Sequence, residues 1–543
     1  MPVREREWKV FEPIDSDASI VADVPALADP VGDDTLVLLY DFEEEALGRP
    51  VLEFSAAAGT VVDVTYSERL DENGKSIVQP RHLVDMAERY VAREGEQRWQ
   101  TFHPRGFRYM EVLIRGDLKS FKLGKVALTR ANYPVREIGQ FECSDPRLND
   151  IWKLGRATLY ACMEDAYLDC PWRERGLYSG DFLVQFHTNL ATYGDTDLFR
   201  RCIELFLLAQ GENGLVPAGA HGLPAGRHPD YSAIIPQTLW CYWTRTGDIE
   251  FLRRMAPRLH KLLDGLWALR RDDGPLLDGS DLSPYIDLSH MDRGGINCAL
   301  NCFYEIGFRY GAKVLDLLGE PAKAEKWRTR ADGLAEAIRR EFWSEEHNAF
   351  VDRLQSDVPD TEPSVPANAL PLLFDIADED QKAGALAYVQ GAMAENFRVP
   401  EPQSNDDCNV TGYFTYYALG VLYKFGKVVE AEQYMRTYWG HMLDQGAWTC
   451  WEFLVDRASR CHAWSSSPTH YLSTRVLGVR LPDSADESKV EIRPNPGTLQ
   501  WARGVYPHPA GPIRVEWKVQ DGKLTVDHEA PEGVEITLTL PEQ

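Results

Sequence analysis

Between about residue 35 and about residue 130, apolar and polar positions alternate with a period of two, and Gly, Asp and Asn turns interrupt the pattern. The segment FRYMEVLIRG, residues 107–116, carries apolar side chains on both of its alternating faces. Apolar residues on both faces are typical of strands in packed sheets. The pattern therefore predicts a β-sandwich in the N-terminal part of the chain.

The spacing of apolar residues becomes helical in SDPRLNDIWKLGRATLYACMED, residues 144–165. Ser144 or Asp145 suits the N-cap of this helix, and Pro146 suits its first turn. From there to about residue 476 we count roughly a dozen helical segments, without a fixed sequence repeat. One of them ends where Gly319 can serve as the C′ residue. Paired helices with short loops predict hairpins that close into a double-layered α-barrel.

After about residue 480 the alternation of strands returns, with a two-residue turn at Asp521-Gly522. A chain of 543 residues is too long for one ordinary core. We therefore predict three domains: an N-terminal β-sandwich at residues 1–140, a helical catalytic domain at 141–478 and a small C-terminal β domain at 479–543.

The composition excludes several classes of partner. The chain has 58 Lys+Arg and 84 Asp+Glu, a net charge of -26, which disfavours binding to nucleic acid or to an anionic membrane. A neutral ligand such as a sugar remains compatible with this charge. No run approaches the roughly 18 apolar residues of a membrane helix, and no signal peptide is visible at the N-terminus. We therefore expect a cytoplasmic protein.

Metal and cofactor sites are not indicated. The ten cysteines are scattered without a CxxC pair, which favours reduced core thiols. The histidines show no HExxH or comparable spacing, and there is no GxSxG elbow or phosphate-binding glycine loop. We expect no metal and no cofactor.

The segment DCPWRERGLYSGD, residues 169–181, concentrates charge beside a tryptophan. Pro171 predicts a loop that leaves a helix ending near Tyr167 and enters another near Asp181. A carboxyl group beside a ring in a partly dry pocket can hold a proton and donate it to a leaving group. Spacing alone leaves open a charged surface loop with a helix cap at Asp181.

A second cluster lies in GAWTCWEFLVDRASRCHAWSSSPTH, residues 446–470. Glu452 stands between aromatic residues, and His462 follows. Flat rings around a carboxylate are typical of sugar sites, because they cover C–H groups while the carboxylate accepts protons. The alternative is a core with one satisfied Glu and one satisfied His. The aromatic candidates for sugar binding are Trp448, Trp451 and Trp464.

Together the two clusters supply the separated carboxylates that glycoside hydrolysis requires. At these residues the chain resembles the family 78 glycoside hydrolases, the α-L-rhamnosidases, whose hallmark is an Asp-Cys-Pro-x-Arg segment with a Glu and then Gly-Asp. The resemblance continues in order through DYSAIIPQTLWCYWTRTGD, YWGHMLDQGAWTCWE and SRCHAWSSSPTHYLSTRVLGVR to KVEIRPNPGTLQWARG. It covers about residues 35 to 530, and the chain reads as a short form without the extra N-terminal β modules of many members.

The resemblance implies a multidomain α+β fold in which an (α/α)6 six-hairpin barrel is flanked by an N-terminal and a C-terminal β-sandwich. It also implies an inverting hydrolase that releases terminal α-L-rhamnose. On this match Glu174 is the general acid and Glu452 the general base. The residues expected to bind the sugar or tune the acid are Asp169, Arg173, Tyr178, Asp181, Asp287 and His462. Tyr178 and Leu288 stand where the family often has tryptophan, which leaves the exact sugar open.

Two alternatives remain at this point. A related helical-barrel enzyme could cleave uronides or use phosphate as acceptor, but such sites need convergent cations, whereas both clusters are acidic and aromatic. A non-catalytic sugar-binding protein would need the aromatic residues without the acid–base pair. The expected partners are a carbohydrate substrate and, as one option, a second copy of the chain in a homodimer.

Overall fold

The computed structural model describes residues 19–21, 27–30, 35–71, 74, 77, 86–221, 228–355, 358–359, 362–395, 407–454 and 458–541. The chain divides into two compact units, Met1–Val135 and Arg136–Gln543. Residues 1–18 of the predicted N-terminal domain lie outside the described part.

The first unit is a β domain. Its strands are β1 (Ser19–Val21), β2 (Leu27–Pro30), β3 (Thr35–Ala56), β4 (Val61–Ser67), β5 (Ala87–Val91), β6 (Gly95–Gln100), β7 (Arg105–Arg115) and β8 (Lys122–Arg130). They pair in the order β1-β8-β3-β7-β4-β5, and β2 and β6 also pair with β3. The first half of β3 pairs with β2 and its second half with β6 and β8, while β7 follows both halves across a register shift between Asp41 and Ala46. Side chains such as Phe107, Val112 and Val64 are fully buried.

The second unit contains the helices. They are α1 (Pro146–Ala161), α2 (Ser179–Thr192), α3 (Asp197–Leu208), α4 (Pro229–Thr246), α5 (Ile249–Trp267), α6 (Cys298–Leu317), α7 (Pro321–Glu341), α8 (Val365–Leu373), α9 (Glu379–Glu395), α10 (Thr415–Lys424), α11 (Val428–Asp444) and α12 (Ser467–Tyr471). A π-helical turn, Leu472–Val476, extends α12, and short 3₁₀ turns occupy Ser280–Leu282 and Ala463–Ser465.

Consecutive helices form hairpins: α2 contacts α3, α4 contacts α5, α6 contacts α7, α8 contacts α9, and α10 contacts α11. The even-numbered helices also contact one another in the order α2, α4, α6, α8, α10, α12 and back to α2. Because these helices have neighbours on most sides, α2 and the first half of α4 are buried almost all round.

Local sequence signals set several helix ends. Asp145 caps α1 by accepting the backbone N–H of Arg147 at 2.9 Å, and Pro146 occupies the first turn, as predicted. Gly319 follows α6 with φ = 77°, a left-handed conformation in which a side chain would be strained. The cap and the C′ glycine predicted from the sequence are therefore confirmed.

Short strands complete the second unit. They are β9 (Gln140–Cys143), β10 (Leu177–Tyr178), β11 (Gly219–His221), β12 (Ile296–Asn297), β13 (Trp343–Ser344), β14 (Ala349–Phe350), β15 (Arg353–Gln355), β16 (Val358–Pro359), β17 (Val479–Arg480), β18 (Lys489–Ile492), β19 (Trp501–Tyr506), β20 (Ile513–Gln520), β21 (Lys523–Glu529) and β22 (Glu535–Leu538). The C-terminal β region consists of two sheets, β17-β18-β22 and β9-β19-β20-β21. The strand that precedes α1 thus pairs with a strand near the C-terminus.

The C-terminal sheets also bond to the helices. The buried indole of Trp517 on β20 donates to the backbone oxygen of Val476 at 3.1 Å.

Within the described residues, no helix has both the length and the apolar character needed to cross a membrane. The chain therefore combines an N-terminal β domain, a helical hairpin domain and a C-terminal β region.

The contact between α4 and α6 depends on a glycine. A Cβ atom on Gly307 would lie 2.7 Å from the backbone oxygen of Ala233, so Gly307→Ala should push the two helices apart and destabilise the protein by about 1–3 kcal/mol. Gly333 on α7 is the matched control, since a Cβ there has no neighbour within 4 Å. Gly333→Ala should be neutral or stabilising by about 0.5–1 kcal/mol. Urea unfolding midpoints of both variants test this, and equal midpoints would contradict it.

Candidate active site

The first cluster lies on the loop between α1 and α2. α1 ends at Ala161 rather than near Tyr167, and the loop then runs to Tyr178, the N-cap of α2. Asp169 ties the loop together: its backbone N–H donates to the oxygen of Gly176 at 2.8 Å, and its Oδ1 accepts the N–H of Gly176 at 2.7 Å. The predicted loop, with a second helix starting near Asp181, is therefore present.

Arg173 joins the two clusters that the sequence singled out. Its side chain is buried, and its Nη1 donates to Glu174 Oε1 while its Nη2 donates to Glu452 Oε2. Burial by itself lowers the pKa of Arg173, but the carboxylates of Glu452 and Glu174 raise it above its ordinary value. The guanidinium therefore stays charged between two carboxylates that are 278 positions apart in the chain.

Glu452 is the more deeply fixed of the two glutamates. Its Oε2 also accepts the backbone N–H of Ser459 at 2.9 Å, and its own N–H donates to the oxygen of Ser459 at 3.0 Å. The indole of Trp464 donates to its backbone oxygen at 3.2 Å. Its side chain is 8% exposed, against 17% for Glu174. Glu452 is thus held in place as an acceptor by its bonds to Ser459.

Glu174 is reached by a second donor. The hydroxyl of Tyr178 donates to Glu174 Oε2 at 3.0 Å. Burial, with the adjacent charge of Glu174, raises the pKa of Tyr178, so this hydroxyl keeps its proton and acts as a donor. The two oxygens of Glu174 therefore face different partners, Arg173 and Tyr178.

His462 lies between two buried aspartates. Its Nε2 is 3.5 Å from Asp169 Oδ2, and its Nδ1 is 3.7 Å from Asp181 Oδ1. Burial lowers the pKa of His462, but contact with Asp169 and the charges of Glu452 and Asp181 raise it above its usual value. Burial likewise opposes ionisation of Asp169, yet His462 and the N–H of Cys170 hold its pKa below the ordinary value.

Asp181 behaves in the opposite way. Burial, reinforced by the negative charges of Asp169 and Glu174, raises its pKa well above the ordinary value despite the nearby His462. The three groups therefore favour a charged imidazole, a charged Asp169 and a neutral Asp181. Neutral and charged carboxyl groups side by side supply both a donor and acceptors for sugar hydroxyls.

Aromatic rings border this cluster. The ring of Trp464 lies 4.0 Å from the imidazole of His462 between centroids, and 5.6 Å from both Phe453 and Tyr413. Tyr285 lies 5.9 Å from Trp464 on another side. Of the three predicted tryptophans, Trp464 is the one that these contacts place beside the carboxylates.

Trp451 and Trp448 have other surroundings. The guanidinium of Arg460 covers the ring of Trp451 at 3.7 Å, and His441 meets that ring edge-on. Trp448 is 55% exposed. Sugar binding by these two residues stays a prediction.

Asp287 is buried, and its oxygens accept the hydroxyl and the backbone N–H of Thr411, the latter at 3.1 Å. Burial raises its pKa, although the bonds from Thr411 oppose this rise. The neighbouring Leu288 is half-buried. Asp287 is thus a supported acceptor in the segment that also carries Tyr285.

Several residues at this site were not singled out from the sequence. Asp230, at the start of α4, accepts the backbone N–H of Tyr285 at 3.1 Å and of Ile286 at 2.8 Å, and Ile286 has φ = 52°. A β-branched residue in this left-handed conformation is strained, so Asp230 holds the turn that presents Tyr285. The carboxylate bonds across a gap of more than fifty residues, for which a single sequence contains no signal.

The five consecutive hairpins, with α1 packed against α12 as a sixth helix pair, give the helical unit a six-hairpin architecture. Family models described as bacterial α-L-rhamnosidase domains match three parts of the chain: the concanavalin-like domain at residues 31–124, the 6 hairpin glycosidase domain at 136–476 and the C-terminal domain at 478–543. The chain belongs to the bacterial α-L-rhamnosidases of glycoside hydrolase family 78.

Relatives agree with this membership. The crystal structure of a family 78 rhamnosidase of Bacillus sp. GL1 has 29% sequence identity to this chain and a TM-score of 0.87. The match covers 96% of this chain and 55% of the rhamnosidase chain. An α-L-rhamnosidase of Formosa agariphila is 21% identical over 92% of this chain and 55% of its own length. The structure of the Streptomyces avermitilis α-L-rhamnosidase complexed with L-rhamnose shares the fold, with 19% identity and a TM-score of 0.76. The match covers 96% of this chain and 50% of that chain. The chain spans about half the length of these relatives.

Asp169 and Asp181 flank the same imidazole, yet their replacement by asparagine should change stability in different directions. The lowered pKa of Asp169 stabilises the fold above its unfolded value of about 4, and this contribution is lost as the pH falls through the folded pKa. Asp169→Asn should therefore reduce the free energy of unfolding at pH 7 by about 1.5–3 kcal/mol.

The pKa of Asp181 is raised, so its effect on stability depends on pH in the opposite way. Its contribution to the free energy of unfolding is fully present below about pH 4 and is lost as the pH rises through the folded pKa. Asp181→Asn imitates the neutral carboxyl, so stability at pH 7 should be kept or increased. Urea unfolding of both variants at pH 5 and pH 7.5 checks this, and an equal loss in both would contradict the assignment of charges.

Proposed function

We propose that the protein is an inverting glycoside hydrolase that releases terminal α-L-rhamnose from rhamnosides. The observation that carries the proposal is the buried Arg173, which brings Glu174 and Glu452 together from the two predicted clusters. Two carboxyl groups on either side of a glycosidic bond are the minimum equipment for this hydrolysis. Membership of the α-L-rhamnosidase family supports the choice of sugar.

Glu174 is the proposed general acid. It is the more exposed glutamate, and the donor Tyr178 holds one of its oxygens in a fixed direction. For this step Glu174 must first take up a proton from solvent, and that proton passes to the glycosidic oxygen as the bond from that oxygen to the anomeric carbon breaks. The leaving group departs as an alcohol, and Glu174 becomes a carboxylate beside Arg173.

Glu452 is the proposed general base. Its Oε2 accepts the N–H of Ser459 and the guanidinium of Arg173, which hold the carboxyl group in one orientation, and a general base removes a proton from water. The water oxygen bonds to the anomeric carbon from the face opposite the leaving group. An inverting enzyme needs about 6.5–9.5 Å between the two carboxyl groups to admit this water.

The remaining polar groups suit a neutral sugar. Asp169, Asp181 and His462 offer a charged acceptor, a neutral carboxyl and a cationic donor within one small cluster. The rings of Trp464 and Tyr285 offer apolar faces for C–H groups and for the methyl group of a 6-deoxy sugar. Arg173 is occupied by two carboxylates, which argues against a uronide or a phosphate acceptor at this position.

The scaffold that we infer is an (α/α)6 barrel, with one β-sandwich before it and another after it in the order of the chain. The ring of contacts that returns from α12 to α2 supports the closed inner layer. In the first unit, the pairing of the two halves of β3 with different strands supports a sandwich. In such a barrel Glu174 and Tyr178 lie just before α2, at its N-terminal end.

Aryl α-L-rhamnosides test the proposal directly. Glu174→Gln should lose about 10²–10⁴-fold in kcat/KM on substrates with poor leaving groups and much less on activated aryl glycosides, because these need little protonation. Glu452→Gln should lose activity on both kinds of substrate. Glu164→Gln is the matched control, since Glu164 lies on the same loop and pairs with Arg175 instead.

The first sugar released, followed by proton NMR, should be the β-anomer. Release of the α-anomer would contradict inversion. Hydrolysis of another aryl glycoside in preference to the rhamnoside would contradict the proposed sugar.

A further inference from the structure

A second cavity lies in the helical unit, away from the glutamates. It has a volume of about 770 Å³ and is lined by the C-terminal halves of α2, α4 and α10, by the π-helical turn after α12 and by residues 480–495 of the C-terminal β region. Glu174, Glu452, Asp169, Asp181 and His462 are not among its lining residues. The cavity is therefore distinct from the candidate active site.

The charge of this cavity is opposite to that of the chain. Five cationic side chains line it, Arg245, Lys424, Arg475, Arg480 and Arg493, against two carboxylates, Asp483 and Glu491, so its formal charge is 5 − 2 = +3. The whole chain has a charge of -26. A positive interior surface on so acidic a protein favours an anionic ligand.

Some of the charged groups that line the cavity already form hydrogen bonds within the protein. Lys424 donates to the backbone oxygens of Leu372 and Leu373 at the end of α8 and to Asp375, which is the usual role of a cation at a helix C-terminus. Asp483 accepts from Trp240 at 2.5 Å and from Lys313 at 3.1 Å. Asp483 is thus hydrogen-bonded to donors other than the five cations, and Glu491, opposite Arg480 on the neighbouring strand, is the other carboxylate of the cavity.

Two of the other cations, Arg475 and Arg480, each have a donor without a partner in the described part of the chain. Within the described residues, the Nε atoms of Arg475 and Arg480 and the Nδ1 of His470 are buried without a hydrogen-bond partner. In that part of the chain the carboxylate nearest in register to Arg480 is Glu491 on the neighbouring strand, which raises the pKa of Arg480 less than burial and Arg475 lower it. An unsatisfied buried donor costs about 1–3 kcal/mol, more when it is charged. Two such charged donors in one cavity, beside a histidine nitrogen that also has no partner in the described residues, indicate a missing acceptor.

Burial disfavours a charge on the histidines of the cavity, and the nearby arginines add to this effect. Burial, together with Arg245 and Arg475, lowers the pKa of His187 to about 3. Burial, the neighbouring His187 and Arg475 lower the pKa of His470 well below its usual value. Burial and Arg475 also lower the pKa of Arg480, to about 10. Each of these groups would be stabilised by an anion.

We propose that this cavity is a binding site for a small tetrahedral oxoanion, of the phosphate or sulfate class, with Arg475 and Arg480 as its main ligands. Guanidinium groups bind such anions with two parallel N–H bonds each. Four oxygens of a tetrahedral anion can accept from donors on different elements, the π-helical turn, β17 and α12, whereas a planar carboxylate has two. The cavity is also large enough for the ester of such an anion with a sugar.

Isothermal titration calorimetry and thermal unfolding of the full chain test the site with three probes: inorganic phosphate, sulfate and glucose 6-phosphate. Sodium chloride at matched ionic strength is the reference. Phosphate or sulfate should bind with 1:1 stoichiometry and raise Tm beyond the chloride reference. A response to glucose 6-phosphate that exceeds both would identify an ester, rather than the free anion, as the preferred form.

Arg475→Gln and Arg480→Gln should each weaken phosphate binding about tenfold or more, because each removes a charge-assisted bond. Arg475→Lys, which keeps the charge, should recover part of the affinity. Arg514→Gln is the matched control, an exposed arginine of the C-terminal β region paired with Glu529. The proposal is overturned if no probe binds, or if Arg514→Gln weakens binding as much as Arg475→Gln. None of these outcomes bears on rhamnoside hydrolysis.

Discussion

The bond that the candidate site depends on is the double ion pair of Arg173. One buried guanidinium holds Glu174 with one nitrogen and Glu452 with the other, so it fixes both candidate catalytic groups at once. Burying three charges has a large desolvation cost, and this cost is offset only when the geometry satisfies nearly all donors and acceptors. The N–H of Ser459 and the hydroxyl of Tyr178 complete that set on the carboxylate side. Such an arrangement is a weak argument for stability and a strong one for a selected function.

The surrounding loops are built to keep that arrangement in place. Asp169 closes the α1–α2 loop on Gly176 through two bonds, and Arg175, with φ = 53°, donates to Pro171 and Glu164 in the same loop. On the other side, Glu452 and Ser459 pair through their backbones. His462 then joins the two sides, because its backbone follows the Glu452 turn while its ring lies between Asp169 and Asp181. Asp169, Glu452 and His462 therefore both stabilise the loops and belong to the candidate active site.

Much of this could be predicted from the sequence, because the signals involved are local. The cap at Asp145, the glycine at 319, the turn around Pro171 and the switch from strands to helices all follow from short-range patterns. The two clusters were recognisable from their composition, and their order along the chain identified the family. The domain limits at 140 and 478, drawn from the same patterns, stay predictions.

What the sequence could not supply was the partner of each charge. Nothing in the neighbourhood of Asp230 indicates that it bonds to Tyr285 and Ile286, and nothing near Arg173 indicates that it bridges two glutamates. Pro171 predicted a helix end near Tyr167, whereas α1 ends at Ala161. In the fold the N–H of Leu168 donates to the oxygen of Cys162 at 2.8 Å, which closes a turn that spacing does not reveal. Long-range pairing decided these points.

The helix α2 shows how one element serves two environments of opposite charge. Its first turn presents Asp181 to the acidic cluster, and six residues later His187 faces the cationic cavity. Six residues of α-helix span about 9 Å, so the acidic cluster and the cationic cavity both contact α2 within that distance. In each of them burial favours the neutral form: it raises the pKa of Asp181 and lowers that of His187. The helix can therefore be buried almost all round without a charge of its own in its middle. The charged residues of both environments lie on the loops and on the elements that are packed against α2.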